Sequence, residues 1–241
     1  MIAIENIRHI SLDVWMTLIR SNPAYKQLRA EGFRQYFQLN EHSPAIVEAA
    51  MREVDVLVNH MNEVTGRNVH TFEIYLLCLH KLGREVKGIT TAQLMGCYTA
   101  LEELWTQYPP LPLYKNLNAL FESIRATGRT ISLLSNTGFI QGPALRRMMQ
   151  QFGWDQYLSF QLYSDETGHS KPAPQFFAQL LEKARYLHGA GLSPAQIWHL
   201  GDNPLADVEG ATNAGMTASL TTFDKQPLDE LLQLAAFDHA K

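Results

Sequence analysis

The chain has 241 residues, 46% of them hydrophobic, and 24 acids against 20 lysines and arginines give it a net charge of -4. That length exceeds a typical single domain, so one large α/β domain or a core with an inserted smaller domain is expected, and either can bury a sizeable core. The scattered cations exclude the basic stripe that a nucleic-acid backbone requires, and no uncharged run reaches the ~18 to 20 residues of a membrane span.

Residues 7–13 read as a first strand, in which the apolar run Ile10-Ser11-Leu12 ends abruptly in Asp13. Charges at Glu5, Arg8 and Asp13, with no small-residue cleavage site after them, argue against a signal peptide. Taken alone, Asp13 is either a cap on the next helix or loop, or a nucleophile: a carboxylate stays ionised at neutral pH and can form a hydrolysable ester. A loop over residues 20–23 leads into helical signals that dominate residues 24–107. The first helix covers residues 25–37; the second starts with Ser43 as N-cap and Pro44 at its first position and runs to residue 64. A third spans 71–82 and is ended by Gly83, and Thr90 or Thr91 caps a fourth that reaches Trp105. Cys78 and Cys97 fall inside these helices without a metal-ligand spacing, so both are expected to be buried thiols of a cytoplasmic protein. With no strand pattern here and Pro109-Pro110-Leu111-Pro112 closing it, the block reads as a helical insert rather than one crossover of a sheet. The predicted division is therefore residues 1–19 and 112–241 as the core, and residues 20–111 as the insert.

Beyond the prolines, helices over residues 117–126, 145–152, 174–188 and about 205–214 alternate with strands over 130–134, 157–163, 197–200 and 216–222. Such alternation predicts right-handed βαβ units in a Rossmann-like parallel sheet covered on both faces. Asp13, Ser135 and Asp202 each follow an apolar β run, so all three should leave the same sheet edge, where open α/β sheets hold their ligands. A short loop over residues 164–170 brings Lys171 to the same rim. Separately, Ser135-Asn136 could be an ordinary turn, Lys171 a solvated loop lysine and Asp207 a first-turn carboxylate facing a helix dipole. Together, the acids, the hydroxyl with its neighbouring N–H groups and the cation can hold a phosphate and a divalent metal. His169 reads as a plain loop residue, and Trp198 and His199 as core.

The sequence resembles the haloacid dehalogenase-like superfamily of hydrolases, most of whose members are phosphatases with an aspartate nucleophile. Asp13-Val14-Trp15-Met16-Thr17-Leu18 is similar to its first motif, Leu133-Leu134-Ser135-Asn136-Thr137 to its second, and Lys171-Pro172-Ala173-Pro174 to its third. The stretch from His199 to Asp207, followed by Gly210-Ala211 and Ala214-Gly215, is similar to its fourth. The insert falls where that family places its helical cap. The resemblance implies that Asp13 forms a phosphoaspartate and that Asp13, Asp202 and the backbone carbonyl of Trp15 ligate Mg2+. It also implies that Ser135 and the N–H of Asn136 hold phosphoryl oxygens, that Lys171 neutralises developing charge, and that Asp207 supports the metal through its waters or holds Lys171.

One residue departs from the pattern. The second residue after the nucleophile in phosphatases of this family is usually an Asp that protonates the leaving alkoxide and later activates water; here it is Trp15, whose indole can do neither. An aromatic residue there is found in the family's haloacid dehalogenases, which work without metal. The expected function is a Mg2+-dependent phosphatase of a small phosphorylated metabolite, with no nucleic-acid or membrane partner, as a monomer or homodimer. The alternatives are a 2-haloacid dehalogenase and a ligand-binding or regulatory protein of low turnover.

Overall fold

Strand β1 (His9–Leu12) is buried at every position, as a strand must be when both faces of its sheet are covered. In the computed structural model, which describes residues 3–236, β2 (Ile19–Arg20) follows, and then helices α1 (Pro23–Tyr36), α2 (Pro44–Thr65), α3 (Thr71–Lys81) and α4 (Thr91–Gln107). The chain continues through β3 (Leu111–Pro112), α5 (Leu117–Ala126), β4 (Thr130–Ser135), α6 (Gly142–Gln151), β5 (Leu158–Tyr163), α7 (Ser164–Thr167) and α8 (Pro174–His188). It ends with β6 (Ile197–Gly201), a π-helical turn over Pro204–Glu209, α9 (Gly210–Asn213), β7 (Thr217–Leu220) and α10 (Leu228–Ala236).

Five strands form one parallel sheet in the order β5-β4-β1-β6-β7, so the fold is the expected Rossmann-like α/β arrangement. The order reverses at β1, which lies between β4 and β6 and puts the switch point of the sheet at its C-terminal end. Register sets what meets there: Leu12 pairs with Leu133 on one side and Leu200 on the other. Asp13, Ser135 and Asp202 therefore leave the sheet within two residues of a common line.

The helical starts follow their capping chemistry. Ser43 accepts from the backbone N–H of Ile46 with Pro44 at the first turn, and Thr90 and Gln93 form a reciprocal capping box. His70 caps α3 and forms a capping box with Glu73. Cys78 and Cys97 are buried free thiols, as expected.

Some elements escaped the sequence reading. The expected loop at residue 20 and the proline breaker pair as the antiparallel ribbon of β2 and β3, with Ile19 opposite Pro112. Pro112 fits because a two-residue edge ribbon makes few demands on its missing N–H. The loop before Lys171 contains the single turn α7, and the helix expected over 205–214 begins as a π-turn. Helix α10 was not anticipated, yet it buries Leu228, Leu231, Leu232 and Ala235 in the cluster that also holds Phe121 and Ile124 of α5.

Side chains of α5, α6 and α10 cover one face of the sheet, and Phe176, Phe177 and Leu180 of α8 cover the other. Helices α1 to α4 enclose a separate cluster around Phe33, Met51, Tyr75 and Leu79, which Phe139 from the loop after β4 joins. Tyr25 and Trp105, from the two ends of that helical block, belong instead to the sheet's cluster. At ~1.5 to 3 kcal/mol for each fully buried large apolar side chain, both clusters stabilise their helices well beyond intrinsic propensity. The block is also tied to the sheet by polar contacts: Ser170 N donates to Gly66 O (3.0 Å) and Thr71 Oγ1 to Gly138 O (2.7 Å). Among the described residues no helix is long and apolar enough to cross a membrane.

Candidate active site

Lys171 is the centre of the arrangement at the switch point. Only 2% exposed, its ammonium donates to Asp13 Oδ1 (2.7 Å), Asp207 Oδ1 (2.6 Å) and the Leu134 carbonyl (2.7 Å), so all its donors are used without water. Its backbone is fixed as firmly. Asn136 accepts from Lys171 N through Oδ1 (2.7 Å) and donates through Nδ2 to Lys171 O (3.0 Å), which ties the loop after β4 to the loop after β5.

Asp207 is held by more donors than the sequence suggested. Its Oδ1 accepts from Lys171 and from His199 Nε2 (3.0 Å), and its Oδ2 from Asn203 N (3.0 Å). His199 Nδ1 in turn lies 2.9 Å from Ser11 Oγ, so a fully buried imidazole on β6 orients the carboxylate that orients Lys171. The reading of His199 as core is right about burial and misses this contact, which no local sequence pattern signals. Trp198 is core, with Nε1 donating to Ser219 Oγ (2.9 Å). Gly201 makes the approach of Asp207 possible: an added Cβ would lie 2.1 Å from Asp207 Cγ.

Carboxylate oxygens of Asp13, Asp202 and Asp207 come within 4.8 Å of one another. Their charges respond to that crowding. Burial raises the pKa of Asp13, against the pull of Lys171, and repulsion from Asp207 adds to the rise. Burial also raises Asp202, to about 7, with help from Asp13 and Asp207. For Asp207 burial acts upward too, but Lys171 and His199 outweigh it and hold the acid ionised. Burial works against the charge of Lys171, yet the two carboxylates keep its pKa above the ordinary range. Three carboxylates against one ammonium leave an excess of negative charge on hard oxygen donors, which suits a divalent cation. Since Asp207 spends its oxygens on three donors, Asp13 and Asp202 are the acids with capacity left for a metal.

These groups open on a cavity of about 350 Å3 between the sheet edge and helices α1 and α2. Asp13, Lys171, Asp202, Asp207 and Asn136 line it, with half-buried Trp15 beside them. Ser135 does not reach it: fully buried at the end of β4, its hydroxyl donates to the Asn136 carbonyl (3.2 Å). His169 faces Arg67 across a backbone bridge, in keeping with a loop role. Sequence reasoning overlooked the groups that α1 and α2 add to the cavity, among them Arg29, Arg52 and Glu63, because helical periodicity does not say which surface residue faces a neighbouring sheet.

Known proteins resemble this chain in sequence and in fold. An uncharacterized hydrolase of Schizosaccharomyces pombe is 28% identical over 116 residues, 46% of this chain and 49% of that protein. The phosphoserine phosphatase of Thermus thermophilus is 33% identical over 108 residues, 44% of this chain and 39% of that one. The chain thus spans less than half the length of either relative. In three dimensions it matches the HAD-hydrolase YfnB from Bacillus subtilis, a structure bound to magnesium, with a TM-score of 0.67 at 16% identity, over 95% of this chain and 98% of the other. The family profile of haloacid dehalogenase-like hydrolases matches residues 7–215, a span that runs from the first strand of the sheet past the last acid of the site, and the chain belongs to that family.

Proposed function

We propose that the protein is a Mg2+-dependent phosphohydrolase of small phosphorylated metabolites, with Asp13 as nucleophile. The observation that carries this reading is the Lys171 ammonium clasped between Asp13 and Asp207, with Asp202 in reach, at a cavity on the switch point of the sheet. The donor set fits the metal. Asp13 and Asp202, with the Trp15 carbonyl, would hold Mg2+, which when bound polarises phosphoryl oxygens and neutralises their charge.

The residues of the chain do the rest. Asp13 attacks phosphorus to form an acyl phosphate as the bond to the leaving oxygen breaks, and Lys171 offsets the charge of the incoming anion. Asp207, fixed by His199 and Asn203, keeps the ammonium aimed at Asp13. The N–H of Asn136 offers a donor to phosphoryl oxygens, and the buried Ser135 hydroxyl supports that loop. Residues 20–111 act as a cap that sets substrate choice, with residues 1–19 and 112–241 forming the chemical core. Glu63 of α2 accepts from Asn203 Nδ2 (2.8 Å), so one acid of the helical block already touches the loop that carries Asp202.

Trp15 shapes the substrate range. With no carboxylate at that position, a leaving group that needs a proton is disfavoured, and the phosphoaspartate meets no ready base for its hydrolysis. The expected result is strong turnover of acyl and nitrophenyl phosphates, weak turnover of alkyl phosphates, an initial burst of one product per site and loss of all activity in chelator. General acid catalysis is worth ~10² to 10⁴-fold, which sets the size of the gap. Trp15 also favours a second reading, 2-haloacid dehalogenase, since halide leaves without a proton; chloride release from 2-haloacids in chelator would establish it and end the phosphohydrolase reading.

A further inference from the structure

Among the described residues two cations of the cavity wall, exposed Lys26 and half-buried Arg29, have no ion-pair partner, and Arg29 is the one partly withdrawn from solvent. Arg29 extends from α1 into the lining, where its guanidinium carbon lies 4.2 Å from the ring centre of Phe139 and 5.8 Å from that of Tyr25. Its Nε is sealed from solvent and makes no hydrogen bond. Other arginines on these surfaces behave differently: Arg34 pairs with Glu31, Arg52 with Asp55, Arg146 with Glu166 and Arg147 with Glu102. Among the described residues no acid pairs with Arg29. The two acids that α2 adds to the lining are engaged, Asp55 by Arg52 and Glu63 by Asn203.

A guanidinium N–H withdrawn from water without an acceptor is costly, and a stack on an aromatic face offsets only part of that cost. What the ring contact does supply is a fixed position. Phe139 belongs to the loop after β4 that also carries Asn136, so the guanidinium is set relative to the groups around Asp13. The Phe139 ring lies against the guanidinium carbon, and the donors other than the sealed Nε remain for an occupant of the cavity that Arg29 lines. A planar fork of donors suits two oxygens of a carboxylate or phosphate better than any neutral group.

We propose that Arg29 binds a second oxyanion of the substrate, at the end away from the phosphoryl group, so that small phosphomonoesters with another carboxylate or phosphate are preferred over singly charged ones. The choice of reacting end rests on the phosphohydrolase reading, while the anion site does not. Calorimetric titration of the Mg2+-loaded protein separates the two. The probes are ethylphosphonate, with one anionic group, 3-phosphonopropionate, with a distal carboxylate, and propane-1,3-bisphosphonate, with a distal phosphonate. The wild type should bind at least one doubly anionic probe ~10-fold or more tightly than ethylphosphonate, and the stronger of the two names the second group. Arg29→Met should remove that advantage and Arg29→Lys should keep part of it. Equal affinity for all three probes in the wild type overturns the proposal without any variant having to fold. So does an advantage that survives in Arg29→Met. Discrimination between probes with no turnover of any phosphate ester supports the anion site and overturns only the phosphohydrolase reading.

Discussion

The two ends of the parallel sheet both bury polar side chains, and they solve the problem in opposite ways. At the N-terminal end, the Arg129 guanidinium donates to the carbonyls of Ile7 (3.1 Å), Ala235 (3.0 Å) and Ile4 (2.9 Å). Close by, His9 is bonded to Thr130 Oγ1 (2.7 Å) and Ser132 Oγ (2.8 Å) and stacked on Phe160. The partners named here are backbone carbonyls and hydroxyls, and they join strand ends to Ile4 on one side and to helix α10 on the other. At the C-terminal end the partners are charged, three acids crowd one lysine, and the network faces a cavity. Burial of polar groups is common to both ends and points to no function by itself. Surplus charge with an open side distinguishes the C-terminal end, where carboxylate oxygens are left for a substrate or metal to satisfy.

Substitution at Lys171 should widen this contrast most. Lys171→Met leaves Asp13 and Asp207 buried without their shared cation, which typically costs ~3 to 5 kcal/mol of stability. Turnover per folded molecule should fall by about 10² to 10³-fold, the usual effect of losing a charge-stabilising donor. Thermal melting and steady-state assays on the same preparation read both effects.

Arg129→Met addresses the other end. It strips donors from buried carbonyls and should cost roughly 3 kcal/mol or more, while kcat of the folded fraction stays at the wild-type value. A loss of kcat comparable to that of Lys171→Met would erase the distinction between the two ends.

The smallest effect is a pH dependence. Burial, with repulsion from His188, pushes the pKa of His9 down to about 3 from an ordinary 6.5. The unfolded chain therefore takes up this proton first. The contribution to stability is complete above about pH 6.5 and is lost as pH falls toward 3, at up to ~1.4 kcal/mol per pH unit. His9→Gln should flatten the fall of denaturant-derived stability between about pH 6 and 4, and an unchanged slope would mean that other groups carry it.

Much of the cluster at the C-terminal end was legible in the sequence because its residues sit where strands stop. The acids Asp13 and Asp202 each close an apolar run, and a parallel sheet sends such ends to one edge. Lys171 was legible through its short loop. What stayed hidden depends on the third dimension. His199 looks like any buried strand residue until the π-turn at Pro204–Glu209 brings Asp207 back over Gly201. Ser135 was expected to face the ligand, but its hydroxyl turns to its own chain. The pairing of Ile19 with Pro112 involves two residues a strand, too short for any periodicity. Arg29 reads as one more cation on a helix, since nothing local reveals the ring of Phe139 beneath it.

Identification of the covalent intermediate tests the central claim most directly. Wild-type protein and Asp13→Asn are mixed with a nitrophenyl phosphate and Mg2+, quenched in acid within the burst, digested and examined by mass spectrometry. The expected result is one added phosphoryl group on the wild-type peptide that holds Asp13, no label in Asp13→Asn, and turnover in that variant reduced by about 10³-fold or more. Rapid wild-type turnover with no label on that peptide, or near-normal turnover by Asp13→Asn, would contradict it.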